Sequence, residues 1–428
     1  VIDLRLSKVT AAKNKVSLTI SGSKSESNRW LILQALYKNI SILNLSDSDD
    51  SNHLSEVLQS NDAVLDIGHA GTAMRFGAAF FAMQEGKEII LTGSDRMKQR
   101  PIGILVDALN NLGADISYLE KKGFPPLKIK GKKITGGRLP IDGSVSSQFL
   151  TALLLIAPSF EKGLQLHIIN QLTSRPYLEM TVDILRQLGV DISFEPFAKT
   201  HKEYKHNEAV QELVRIKPLV LPVIETATVE SDWSSAGYWY SWVAFQEPGY
   251  EIHLSFYNAA SLQGDHKLVY IYSPLGVTTI FDEYGMHLIK EDKRLPDKVV
   301  LDLTNEPDQA QTIFATCLGL GINAHLTGLH TLKIKETDRI EAMMQVGSRF
   351  RESEIKITDH SIELHFKTQT AFNQEVLVDT YQDHRMAMAF APLCMKTAIV
   401  IKDAMVVTKS YKRFYQDLKE VNVTITEI

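Results

Sequence analysis

The chain has 428 residues, 44% hydrophobic and 23% charged, and its 46 basic against 51 acidic side chains leave a formal charge of −5. That length provides for two or three domains with substantial cores. The acidic balance excludes a general nucleic-acid or membrane-surface binder, which needs a basic excess. The longest apolar run, Phe149 to Pro158, is about half of a bilayer span. Val1 to Lys8 alternates charged with branched apolar residues, unlike a secretory leader. Cys317 and Cys394 each sit in an apolar helical run and are expected to be buried free thiols of a cytoplasmic protein.

In chain order, the first predicted core element is a helix over Asn28 to Tyr37, apolar or small on nearly every face and entered through Gly22-Ser23-Lys24-Ser25-Glu26-Ser27-Asn28-Arg29. Ser46 to Asn61, acidic and serine-rich, reads as a solvated loop and helix. A second buried helix, Gly71 to Met83, follows Gly68-His69-Ala70-Gly71-Thr72-Ala73-Met74-Arg75. After Arg100-Pro101, apolar residues at Ile102, Leu105, Val106, Leu109 and Leu112 give an amphipathic helix, stopped by Gly113 before a strand. Gly143-Ser144-Val145-Ser146-Ser147-Gln148 leads into a buried helix over Ser146 to Ala157.

The next segment repeats an earlier one. Thr181 to Ile192 repeats Leu105 to Ile116, identical at seven of twelve positions, again after an Arg-Pro pair, Arg175-Pro176, which suits a first helical turn. Weaker copies surround Gly276 (Leu268 to Ile280) and Gly347 (Ile340 to Ile357), with another at Phe414 to Ile425 and a degraded one at His53 to Ile67. Buried helices over Ser234 to Ala244, Ala310 to Leu320 and Arg385 to Cys394 alternate with them. The expected architecture is therefore α/β, with six helix–strand units of about 71 residues.

Loops of small, polar or cationic residues precede several buried helices, and Tyr381-Gln382-Asp383-His384-Arg385 is a further one. Helix N-termini offer free N–H groups to anions, and lysine and arginine add charge-assisted donors. A single serine there is explained as well by capping; several such loops, three with a cation, point to a phosphate or carboxylate site. None is a nucleotide loop: no Gly-x-Gly-x-x-Gly follows a strand, and the spacing around Lys24 is not that of a P-loop. Metal-ligand spacing is absent as well, with His201 and His206 in a charged stretch and His384 a structural residue at a helix start. Lys333 to Arg339 holds five ionisable groups in seven residues; it is either a solvated helix start or a carboxyl group among cations. Asp308, just before a buried helix, is either an N-cap or a base facing bound anions.

Six motifs stand in order: Gly-Ser-Lys-Ser-x-Ser-Asn-Arg at 22–29, Ala-Gly-Thr-Ala-Met-Arg at 70–75, Arg-Met-Lys-x-Arg-Pro at 96–101, Gly-Ser-Val-Ser-Ser-Gln-Phe at 143–149, Lys-Glu-Thr-Asp-Arg at 335–339 and Asp-His-Arg-Met-Ala-Met at 383–388. Together they resemble the 5-enolpyruvylshikimate-3-phosphate synthase (3-phosphoshikimate 1-carboxyvinyltransferase) family over nearly the whole chain. The resemblance implies a two-domain inverse α/β prism, 21–230 forming one domain and 1–20 with 231–428 the other, each of three units. It implies transfer of an enolpyruvyl group from phosphoenolpyruvate to shikimate 3-phosphate without metal or cofactor, by a cytoplasmic monomer that binds neither nucleic acid nor membrane.

Carried over residue by residue, phosphoenolpyruvate would meet Lys24, Gly71, Arg100, Gln148, Arg339, Arg385 and Lys409. Shikimate 3-phosphate would meet Lys24, Ser25, Arg29, Ser146, Ser147, Gln148, Ser174, Tyr177, Asp308 and Lys335. Asp308 would take the hydroxyl proton and Glu336 would protonate the methylene carbon, with Lys24 assisting. The sequence departs from the family pattern at His69, Phe76 and Thr331, and it is short between Asp50 and Gly68, so one unit is expected to lack a strand pair. Two rivals are a sister transferase acting on UDP-N-acetylglucosamine, which uses a loop cysteine absent here, and a non-catalytic repeat protein.

Overall fold

A computed structural model describes residues 2–8, 14–144, 146–196, 210–368 and 370–428. Val145, His201 and His206 lie outside the described residues. The chain divides into two compact units, Lys24–Val229 and Val1–Ser23 with Glu230–Ile428.

Unit Lys24–Val229 contains two four-stranded sheets of one design. In the first, Val64–Asp66 pairs parallel with Glu88–Thr92, which pairs antiparallel with Leu127–Lys130 and that in turn with Asp115–Tyr118. Gly137–Asp142, Leu164–Ile169, Val210–Ile216 and Ile192–Pro196 repeat the order and the directions. The third sheet is only the parallel pair of Thr226–Thr228 and Ser41–Leu43. The strand pair missing from the short segment after Asp50 is the antiparallel half of this design.

The other unit holds three sheets with the same sequence of pairings. Their parallel pairs are Lys298–Asp302 with Asn323–Thr327, Glu375–Val378 with Ala398–Ile401, and Lys15–Leu18 with Glu251–Ser255. The N-terminal strand Leu4–Lys8 completes the second of them, between Ala398–Ile401 and Val423–Glu427. In each unit a helix without a polar face fills the middle: Gly71–Ala82 and Ser147–Ile156 in one, Trp233–Ala244 and Ala310–Leu320 in the other, nearly all residues buried. Removal of that much apolar surface from water holds each unit together.

Several local expectations change. Gly113, Gly189 and Gly276 end their helices with φ of +104°, +99° and +80°, the left-handed stop. Gly347 instead lies inside the helix Arg339–Gly347; a Cβ there would come within 2.7 Å of the Phe314 ring, so the glycine serves close packing. The helix after Arg100-Pro101 begins only at Gly103, whereas Pro176 does lie in the first turn of Arg175–Leu188. The strand that follows His53 belongs to the next sheet. Among the described residues, no helix is long and apolar enough to cross a membrane.

Candidate active site

In the unit that contains Glu230–Ile428, the 3₁₀ turn Pro307–Gln309 places Asp308 at the entrance of Ala310–Leu320. Its carboxylate accepts from Arg339 Nη1 at 2.8 Å and Arg385 Nη2 at 3.1 Å, and Lys335 Nζ lies at 3.4 Å. Burial alone would raise the Asp308 pKa, but Arg385, Lys335 and Arg339 hold it far below the carboxylate range. Arg339 is 2% exposed. It also donates from Nη2 to Glu336 Oε2 at 2.8 Å and from Nε to Asp383 Oδ2 at 2.6 Å. Burial would lower its pKa, yet Asp383, Glu336 and Asp308 together raise it. Lys335 moves the other way, lowered first by burial.

Two helix N-termini fix this cluster. Asp338 caps Arg339–Gly347 by accepting from Ile340 and Glu341 N–H, and Asp383 caps His384–Phe390 by accepting from Arg385 N–H at 2.8 Å. Ahead of Asp383, Tyr381 and Gln382 have φ of +51° and +59°, a strained pair for side-chain-bearing residues. That turn presents the Gln382 carbonyl to Lys409 Nζ at 2.8 Å. The solvated reading of Lys333 to Arg339 therefore fails for Arg339, and the carboxyl-among-cations reading holds.

Unit Lys24–Val229 contains the other named residues. Lys24 opens the helix Lys24–Leu36 and pairs with Asp50 at 3.0 Å. Asp50 belongs to the segment read as solvated, but its inner face is buried: Ser46 N–H donates to Ser27 Oγ, and Ser46, Ser48 and Ser51 form a hydroxyl chain. Arg29 donates to Thr181 Oγ1, Thr151 Oγ1 and the Ser25 and Tyr177 carbonyls, tying three helices together. Burial lowers its pKa to about 10. Ser146 caps Ser147–Ile156 toward Gln148 N–H, and Ser174, at φ +52°, precedes the helix that carries Tyr177 and accepts the Tyr177 N–H with its backbone carbonyl at 3.1 Å.

The Arg100 guanidinium lies against Gly71, where a Cβ would stand 2.6 Å from Nη1. A side chain at Gly71 would push the end of the Arg100 side chain away from this helix start. Arg75, one of the cations counted at the loops, is turned inward and donates to the Pro101 carbonyl at 2.9 Å, so it supports the Arg100 segment.

Comparison with known proteins decides the family. A family model described as EPSP synthase (3-phosphoshikimate 1-carboxyvinyltransferase) matches residues 51–418. The chain belongs to the EPSP synthase family. A 3-phosphoshikimate 1-carboxyvinyltransferase of Bacteroides fragilis (strain YCH46) is 38% identical over 423 residues, 96% of each chain. One from Aliivibrio salmonicida (strain LFI1238) is 35% identical, covering 95% of this chain and 96% of that one. An EPSP synthase structure from Acinetobacter baumannii superposes over 100% of both chains with a TM-score of 0.77 at 18% identity, which gives the two-domain α/β prism fold.

For this member of the EPSP synthase family, the structure adds residues that the motifs did not reveal. Asp265 is buried and accepts from Ser234 Oγ at 2.6 Å and Gln309 Nε2 at 2.7 Å, while Arg385 Nη2 reaches Ser234 Oγ at 3.4 Å. Burial raises its pKa to about 6. Gln309 is pressed against Gly237, whose absent Cβ would lie 2.5 Å from its Oε1. Of the departures, His69 Nδ1 meets Ser94 Oγ at 2.8 Å, and Phe76 is core. Thr331 has an enclosed hydroxyl without a hydrogen-bond partner.

Proposed function

We propose that this chain transfers the enolpyruvyl group of phosphoenolpyruvate to the 5-hydroxyl of shikimate 3-phosphate, releasing phosphate. The observation that carries this reading is the Asp308 carboxylate held by Arg339, Arg385 and Lys335, with Glu336 on the same arginine. A base and an acid stand on a shared set of cations, as a reaction between two anions requires.

Arg339 and Arg385, the arginines that phosphoenolpyruvate would engage, both donate to Asp308. Phosphates at roughly −2 each, together with carboxylates, compete for Arg339 and Arg385. As they take those donors, the attraction that depresses the Asp308 pKa weakens and its basicity rises where the hydroxyl proton must leave. The hydroxyl oxygen then bonds to C2 of phosphoenolpyruvate while Glu336 delivers a proton to the methylene carbon. The tetrahedral adduct loses phosphate, which takes up the proton held by Asp308, as the new methyl group returns a proton to Glu336, restoring the double bond.

Lys409 with Arg339 and Arg385 is assigned to phosphoenolpyruvate, as are Gly71, Arg100, Gln148 and Lys24. Ser25, Arg29, Ser146, Ser147, Ser174, Tyr177 and Lys335 are assigned to shikimate 3-phosphate. Arg29 is extensively engaged by its own scaffold, so its proposed part is to position Ser25 and Tyr177 as much as to touch ligand. The sister reaction with a cysteine finds no support: both thiols are buried, their pKa values raised to about 12 by burial. The same reading places the enzyme in the cytoplasm as a monomer acting on small metabolites.

The test is phosphate release from phosphoenolpyruvate with and without shikimate 3-phosphate. Release that depends on both substrates is expected. Release only with UDP-N-acetylglucosamine, or with neither acceptor, would overturn the reading.

A further inference from the structure

We propose that His253, His287 and Asp282 form a surface site for a divalent cation of the zinc class, separate from the residues assigned to the transfer reaction. His253 and His287 are directly opposite one another on the antiparallel strands Glu251–Ser255 and Gly285–Lys290, their ring centroids 4.7 Å apart. Asp282 occupies the turn just before the second strand. Its Oδ1 accepts from the Tyr284 and Gly285 N–H groups at 2.8 and 2.9 Å, so the carboxylate is held by backbone.

One ligand atom from each of the three residues falls within 4.8 Å of the others. His287 Nε2 is 2.8 Å from Asp282 Oδ2, and His253 Nε2 is 3.9 Å from Oδ1. Ligands on a tetrahedral zinc ion with bonds near 2.0–2.1 Å stand about 3.3 Å apart, so sub-ångström adjustments of two imidazoles suffice. His253 Nε2 is enclosed and has no hydrogen-bond partner, which is the condition of a donor awaiting an acceptor of its lone pair.

The surroundings support the same reading. His287 Nδ1 lies 2.7 Å from Glu251 Oε1. A carboxylate on the distal nitrogen fixes the tautomer and turns the other nitrogen toward a metal. Glu251 is itself held by Lys15 Nζ at 2.8 Å. Two imidazoles and one carboxylate select zinc-like ions over calcium or magnesium. The side chains are partly exposed, at 15% for His253, 23% for His287 and 39% for Asp282. An ion can therefore enter from solvent and complete its shell with water.

The experiment titrates chelator-stripped protein with Zn2+ by calorimetry and with Co2+ by visible absorption. Expected are one tight Zn2+ per chain and a tetrahedral Co2+ spectrum lacking thiolate charge transfer. His253→Gln and His287→Gln should each weaken binding by about 100-fold or more, and Glu251→Gln by about tenfold. Turnover of metal-free protein should be unchanged in the two histidine variants. Zn2+ affinity equal in parent and histidine variants, no saturable binding in the parent, or a Co2+ spectrum with thiolate bands from Cys317 or Cys394 would overturn the site. The parent titration and spectrum decide the matter even if a variant fails to fold.

Discussion

Two buried arginines, one in each unit, are held in opposite ways. Arg339 is surrounded by Asp308, Glu336 and Asp383, whereas Arg29 in the other unit donates to hydroxyls and backbone carbonyls. The electrostatic consequence follows: Arg339 has a raised pKa despite burial, and that of Arg29 falls to about 10 because Tyr177 and Glu26 only partly offset the lost hydration. A cluster of paired acids and bases can exchange protons with a substrate. A cation held by neutral dipoles keeps its charge for an anion or for the scaffold. The proposed proton-transfer pair, Asp308 and Glu336, thus stands in the carboxylate-rich surroundings of Arg339, together with Arg385 and Lys335.

The largest expected effect breaks the first half of this contrast. Glu336→Gln should lower turnover by roughly 10²–10⁴-fold, the usual value of a positioned acid, with phosphoenolpyruvate affinity retained; stopped-flow or coupled phosphate assays measure it. Turnover within a few-fold of the parent would remove Glu336 from the chemistry.

Stability tests the contrast directly. Arg339→Gln leaves buried carboxylates without their partner and should cost about 3–5 kcal/mol. Arg29→Gln leaves the Thr181 and Thr151 hydroxyls and the Ser25 and Tyr177 carbonyls without this donor and should cost about 1–3 kcal/mol. Urea unfolding of both variants checks this, and equal costs would dissolve the comparison.

A third test sharpens the acid-rich side. Asp265 binds its proton more tightly in the folded chain, with a pKa raised from 3.8 to about 6 by burial. Between those values the folded state holds more protons than the unfolded state, so stability falls as pH rises from about 4 to 6 and levels off above. Asp265→Asn should abolish a loss on the order of 3 kcal/mol across that window, as read by urea midpoints at several pH values. An unchanged slope would mean that another group sets it.

The smallest effect belongs to the recognition side. Gly71→Ala places a methyl group on the Arg100 guanidinium and should weaken phosphoenolpyruvate about tenfold, or about 1.4 kcal/mol. Shikimate 3-phosphate affinity should be unaffected. Calorimetry with each ligand separates the two.

How much of this was legible in the sequence depended on the range of the interaction. The match of Leu105–Ile116 with Thr181–Ile192 disclosed the repeat because helix, glycine stop and strand are local signals. The shortened unit, expected from the departure from the family pattern between Asp50 and Gly68, is the two-stranded sheet. Burial of charge was harder to see. Asp50 and its serines look solvated in isolation, and only Lys24 and Ser27, 26 and 19 residues away, turn them inward. Arg75 reads as an anion-binding cation, but a carbonyl 26 residues on claims it. Asp265 stands in an unremarked Gln-Gly-Asp, and its neighbours Ser234 and Gln309 come from distant helix starts.

The central claim is that Asp308 competes with substrate anions for Arg339 and Arg385 before acting as the base. Binding and turnover of Asp308→Asn, measured on one preparation by calorimetry with phosphoenolpyruvate in the presence of shikimate 3-phosphate and by phosphate release, tests it most directly. The account predicts tighter phosphoenolpyruvate binding together with turnover lowered at least about 100-fold. Weaker binding, or turnover near that of the parent, would contradict it.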